Sequence, residues 1–186
     1  VPETVVRTTN ELPPDVVIDE RTQFAFSRDA DNLYLTVRVE EAGPRAAEDD
    51  RTARDSYDNF KPDSIHLYID PAAREESFLH LAFTPAGGQT DALWRYEPFQ
   101  GHHARNVKWN GEWSVESVVE ERVWTATVTI PFATLSATPE PGAVWRANVV
   151  VNRRVGQDGT DSVNWTTPGG SSRDPARFGR LVFASE

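Results

Sequence analysis

Asp63–Pro71 reads DSIHLYIDP. Ile65, Leu67 and Ile69 alternate with Ser64, His66, Tyr68 and Asp70, and a period of two puts the two sets on opposite faces of a β-strand. The apolar set is what one side of a core requires. The other set carries a histidine and a tyrosine side by side, which raises the question of what this second face touches.

The same period recurs on either side of this stretch. Thr22–Phe26 (TQFAF) and Leu33–Val39 (LYLTVRV) precede it, separated by the turn residues RDADN. Ser77–Phe83 (SFLHLAF) follows, then DALWRYEPF after the Gly87–Gly88 turn. In VWTATVTIPF, Trp124, Ala126, Val128 and Ile130 oppose Val123, Thr125, Thr127 and Thr129. VWRANVVVNR, SVNWTT and a closing FGRLVF complete the series, and Asn110–Gly111 between Trp109 and Trp113 is a hairpin signal. Glu40–Pro62 is polar and charged and reads as a loop. Residues 1–20 hold Pro13–Pro14 and little periodicity, so they read as a lead-in or edge segment before a single domain at 21–186. Heptads and long amphipathic helices are absent. Short strands separated by turn residues predict an all-β fold, an antiparallel, jelly-roll-like β-sandwich with little helix.

Composition narrows the function classes. A length of 186 residues with 38% hydrophobic side chains suffices for one substantial core. With 19 basic against 29 acidic residues the net charge is −10, which repels nucleic acid and anionic membranes at long range, so neither is expected as a partner. The absence of cysteine removes disulfides, thiolate catalysis and zinc–sulfur sites together. No Walker loop, HExxH or G-x-S-x-G is present. A carboxylate pair for glycoside hydrolysis can be drawn among so many acids without meaning anything, so no catalytic residue is assigned.

Six pieces in this order carry a resemblance: DNLYLTVRVEE, DSIHLYIDP, HLAFTPAG, WTATVTIPFATL, PGAVWRANVVVNR and NWTTPGGSSRDPARFGRLVF. Together they resemble the family 9 carbohydrate-binding modules and the wider DOMON-like β-sandwich group, from about Thr22 to Phe183. The resemblance implies a non-catalytic module that binds a polysaccharide or oligosaccharide, typically at a chain end. It implies a secreted or extracytoplasmic protein that serves a catalytic domain of the same or a partner protein. Two tryptophans clamp the sugar in well-known members. At the matching positions this chain holds Phe60 and Ser172, and the polar positions of a glutamate and an arginine hold His66 and His80. The altered clamp keeps a second reading open, a sandwich that has lost sugar binding and acts as a structural or protein-interaction module. A third is a haem or redox domain, since DOMON-like relatives bind haem. Methionine, a usual axial ligand there, is absent, which leaves His66 and His80.

The expected ligand-binding residues are Phe60, His66, His80, Trp94, Tyr96, Arg146, Asn148 and Trp165. Sugars stack a C–H face on aromatic rings while polar neighbours satisfy their hydroxyls, and this set supplies both kinds. His66 and His80 can hydrogen-bond a sugar, pack beneath a loop, or ligate a metal. Arg146, Asn148 and Asn152 share the face of VWRANVVVN opposite Trp145, Ala147, Val149 and Val151. Trp124 and Trp145 read as core, and Trp109 and Trp113 as a cross-strand pair. Arg173 and Asp174 are expected to pair locally and organise the last loop. No cofactor is required, and the metal ligands are undefined. Asp49, Asp50, Asp55 and Asp58 could offer oxygens to a structural calcium ion, without EF-hand spacing, or form a solvated charged loop.

Overall fold

The computed structural model describes residues 3–8, 15–40, 54–56, 63–155, 159–166 and 171–184, which form 13 strands. These are β1 (Glu3–Thr8), β2 (Val16–Asp19), β3 (Thr22–Arg28), β4 (Asn32–Glu40), β5 (Ser64–Asp70), β6 (Ser77–Phe83) and β7 (Gln89–Glu97). They continue with β8 (His102–Asn106), β9 (Ser114–Glu120), β10 (Val123–Pro131), β11 (Val144–Val155), β12 (Gly159–Asn164) and β13 (Gly179–Phe183). A single helical turn, α1 (Phe132–Leu135), follows β10, and a 3-10 turn spans Pro175–Arg177. One hydrogen-bonded path runs β8-β7-β6-β5-β11-β13-β1-β3-β4-β10-β9, with β12 beside β11 and β2 beside β3.

The path curls so that its two halves close on one core. Ile65, Leu67 and Ile69 of β5, Leu79, Leu81 and Phe83 of β6, and Ala147, Val149 and Val151 of β11 supply one side. Phe24 and Phe26 of β3, Leu33, Leu35, Val37 and Val39 of β4, and the Trp124 series of β10 supply the other. Rings cross the gap, as Phe83 meets Trp124 edge-on at 5.9 Å and Phe132 meets Trp145 at 6.0 Å. Each such side chain contributes roughly 1.5–3 kcal/mol when fully buried. The sandwich expectation therefore holds, and Trp124 and Trp145 are core as read.

Three details differ from the sequence expectation. The sheet is mixed: β1 runs parallel to β13 through Glu3–Val6 and parallel to β3 through Arg7–Thr8. Residues 3–8 thus join the two halves from within, where a lead-in or edge was expected. The Asn110–Gly111 hairpin does not form, and the chain from β8 to β9 crosses as a loop. Gly111 is glycine for another reason, because a Cβ there would lie 2.6 Å from the Trp109 ring and 2.8 Å from Thr134. Trp113 is buried with its indole N–H on Asp91 Oδ2 at 2.8 Å, so Trp109 and Trp113 are not a cross-strand pair.

The third difference concerns the second face of β5. Every residue of Ser64–Asp70 is buried, not only the alternate ones. A smaller cluster of Tyr68, Phe78, Val150 and Phe178, with Trp94 packed against it, lies on the outer side of the β5–β6–β7–β11 sheet. Phe178, next to the 3-10 turn, caps this cluster.

Candidate functional site

The register of β5 against β6 places Tyr68 opposite His80, and their rings stack at 4.4 Å and 15°. His66, one pair further along, brings its Nδ1 within 2.9 Å of His80 Nε2. Asn152 on β11 donates its side-chain amide to His66 Nε2 at 3.0 Å and is itself held by Ser162, whose hydroxyl donates to Asn152 Oδ1 at 2.7 Å. Because His66 Nε2 accepts, its proton sits on Nδ1 and is donated to His80. A polar chain Ser162–Asn152–His66–His80 therefore crosses adjacent strands. Burial pushes the His66 imidazole down to about 4, and the charges of Arg105 and Arg173 add to this. Burial also pushes His80 well below the usual histidine range, followed by His66, Arg105 and Arg173. Both rings are neutral, and with 7% and 4% exposure they form a floor beneath the surface.

Several expected contacts hold this surface together instead of facing solvent. Asn148 donates to the Ser172 carbonyl at 3.1 Å. Arg146 reaches the carbonyls of Pro175 at 3.4 Å and Ala176 at 3.2 Å, and the Glu75 carboxylate at 3.4 Å. These two side chains, expected to contact ligand, clamp residues 171–178 onto the sheet. Trp165 was expected at the ligand as well, but the chain leaving β12 turns it inward. It packs edge-on against Phe24 at 5.2 Å and lies in the main core. Phe60 lies outside the described residues, as do Asp49, Asp50 and Asp58. Asp55 is engaged by the Asp91 backbone N–H at 3.2 Å. Among the described residues, no three His, Asp or Glu side chains converge as a metal site.

Trp94 and Tyr96 remain, and they line a cleft of about 720 Å³ between the β7–β8 hairpin, the β5–β6 connection and residues 171–176. Trp94 stands parallel to Phe78, its cross-strand partner, at 5.7 Å and 10°. The Arg173 guanidinium lies over the Trp94 ring, 5.4 Å from its centre. The buried Trp94 Nε1–H has no acceptor among the described residues. Tyr96 is 45% exposed. It meets His103 of β8 edge-on at 5.4 Å, and His103 Nε2 donates to the Glu75 carbonyl at 2.7 Å. Arg173 and His103 were missed as site residues from sequence. Pro98–Gly101, with Gly101 at φ 69°, is a hairpin signal that sets His103 across from Tyr96. Asp174 turns away from Arg173, accepting from Ala176 N at 3.2 Å and pairing with Arg177 at 3.3 Å, so the expected local Arg173–Asp174 pair does not form.

A β-sandwich with an open, aromatic-walled cleft on one sheet is the architecture of a ligand-binding module. Residues 4–186 match the family described as Carbohydrate family 9 binding domain-like, and the chain belongs to that family. Solved structures agree in fold. A family 9 carbohydrate-binding module from Caldicellulosiruptor kristjanssonii in complex with cellotriose is 13% identical over 99% of this chain and 94% of that one, with TM-score 0.61. The glucose complex from the same organism is 13% identical over 98% and 96%, with TM-score 0.58. A putative carbohydrate-binding protein from Bacteroides uniformis is 15% identical over 98% of this chain and 84% of that one, with TM-score 0.67. No curated protein sequence matches the chain.

Proposed function

We propose that this domain is a non-catalytic carbohydrate-binding module that seats a glycan in the Trp94–Tyr96 cleft. The observation that carries the reading is the cleft itself. It sets an exposed phenol and an indole beside imidazole, guanidinium and carboxylate groups, the mixture a sugar's C–H face and hydroxyls call for. The relatives solved with cellotriose and glucose support the ligand class. In this reading the protein is secreted and holds a polysaccharide close to a catalytic domain of the same or a partner protein, raising the local substrate concentration.

Catalysis is not part of the proposal, because the buried histidines are neutral and tied to each other, and the arginines facing Glu75 and Asp174 hold those carboxylates in structural pairs. One observation favours a second reading, a scaffold without a ligand: the Trp94 ring already carries Phe78 and Arg173, where a sugar would stack. A panel of soluble polysaccharides and oligosaccharides, screened by affinity-gel retardation and confirmed by calorimetry, separates the two. A saturable hit weakened by Tyr96→Ala establishes the module. No hit with a demonstrably folded domain establishes the scaffold.

A further inference from the structure

The charges around the cleft are more selective than its shape, provided that the cleft is a glycan site. Arg173 is exposed at the cleft wall, stacked over Trp94 at 5.4 Å, and has no carboxylate partner among the described residues. Stacking on an indole face uses the π cloud and leaves the guanidinium N–H groups pointing outward in a fixed fork. Arg74 lines the same cleft, also without a carboxylate partner among the described residues. Two of the cleft acids are already matched: Glu75 faces Arg146 at 3.4 Å and Asp174 faces Arg177 at 3.3 Å. Glu76 is the remaining acid in the wall. Among the described residues the cleft therefore sets two guanidinium groups without a carboxylate partner, Arg173 and Arg74, against one unmatched acid, Glu76.

We propose that the cleft takes an anionic sugar, a uronic acid or a sulfated unit, whose carboxylate or sulfate is received by Arg173 while the sugar ring lies against Tyr96. Guanidinium and oxyanion match as a two-point, charge-assisted pair, which a neutral sugar hydroxyl cannot reproduce. The net charge of −10 does not oppose this at contact. At physiological ionic strength charges further than about 8 Å away are largely screened, so the nearest cation decides.

Calorimetry with three probes tests the assignment: oligogalacturonate, a sulfated carrageenan oligosaccharide and neutral cellotriose, each against wild type, Arg173→Gln and Arg173→Lys. Arg173 is exposed, so its variants should fold, and near-ultraviolet circular dichroism checks that they do. The expected result is an anionic probe bound about tenfold or more tightly than cellotriose, as a charged hydrogen bond supplies. Raised salt should weaken that binding, Arg173→Gln should bring it to the cellotriose level, and lysine should restore it only in part. Whichever anionic probe wins identifies the anion. Cellotriose bound equally well, or anionic binding indifferent to Arg173→Gln, overturns the anionic assignment and leaves the module reading standing. Silence from all three probes and from the wider panel overturns the module reading with it.

Discussion

His66 Nδ1 and His80 Nε2 are 2.9 Å apart on neighbouring strands, and both rings are neutral and almost wholly buried. Only one of the two facing nitrogens can carry a proton. A proton added at His80 Nε2 meets the His66 Nδ1–H, and one added at His66 Nε2 meets the Asn152 amide, so charging either ring sets donor against donor inside the second face of the sheet.

This arrangement makes the fold acid-sensitive in a definite window. An unfolded histidine titrates near 6.5, while folded His66 is held down to about 4 and His80 also lies well below its usual range, in both cases chiefly by burial. The unfolded chain binds more protons between those values, so stability is complete above about 6.5 and falls as pH drops toward 4. Scanning calorimetry from about pH 7.5 to 4 should show the melting temperature declining across that interval, with a shallower decline in His80→Gln. A flat profile would disprove the neutral pair. Asp29 acts in a lower window. Its carboxylate accepts from the Tyr34 hydroxyl at 2.6 Å and from the backbone of Asp31 and Asn32, and it is held down to about 2 chiefly by Tyr34. That contribution is complete above 3.8 and is lost as pH falls through about 2.

Trp165 and Gly179 form a second coupled pair. A Cβ on Gly179 would lie 2.5 Å from the Trp165 ring, so Gly179→Ala should cost about 1–3 kcal/mol through overpacking. Trp165→Ala should cost about 3–5 kcal/mol by leaving a cavity against Phe24. A double-mutant cycle with Trp165→Phe, followed by chemical denaturation, should reduce the Gly179→Ala cost. Additive effects would mean that the two residues do not share this space.

Tyr96 and Trp94 should behave differently. Tyr96 is exposed on the cleft wall, so Tyr96→Ala should lower glycan affinity several-fold while the melting temperature barely moves. Trp94 stacks on Phe78 at 5.7 Å, so Trp94→Ala should weaken stability as well as binding. Measuring both quantities on both variants checks this, and a Tyr96 variant with undiminished affinity would place the sugar elsewhere.

Arg153 is 3% exposed and reaches Asp19 at 2.6 Å, Asp161 at 2.8 Å and Thr22 at 3.0 Å, fastening β2, β3 and β12 to β11. Arg153→Ala leaves Asp161 with Arg21 at 3.4 Å and removes the guanidinium from Asp19, and it should cost about 1–3 kcal/mol in urea denaturation. A loss below about 1 kcal/mol, the scale of an exposed pair, would show that the cluster contributes little.

The sandwich was legible because β4, β5, β6, β10 and β11 each carry an uninterrupted apolar alternation, and a one-residue slip would turn every one of those side chains outward. β1 was not legible, since a strand docked in parallel between two others has no hairpin partner close in sequence. Asn110–Gly111 misled because the signal for a tight turn is the same glycine that Trp109 requires for close packing. In the site, the aromatic and imidazole positions could be read, as residue type alone suggests them. Trp165 could not be sorted from Trp94 without knowing which face the end of β12 presents. Arg173 could not be placed at all, because its partner Trp94 lies on a distant strand and no local spacing links them.

The parallel seam between β1 and β13 also has a mechanical consequence. Glu3–Val6 pair with Arg180–Phe183 in the same direction, so tension pulling outward at Glu3 and at Phe183 slides the strands past each other. Their hydrogen bonds then resist together, in shear, instead of opening one at a time like a zipper. A module held on a glycan and pulled at these two ends would load the four pairs of this ladder together.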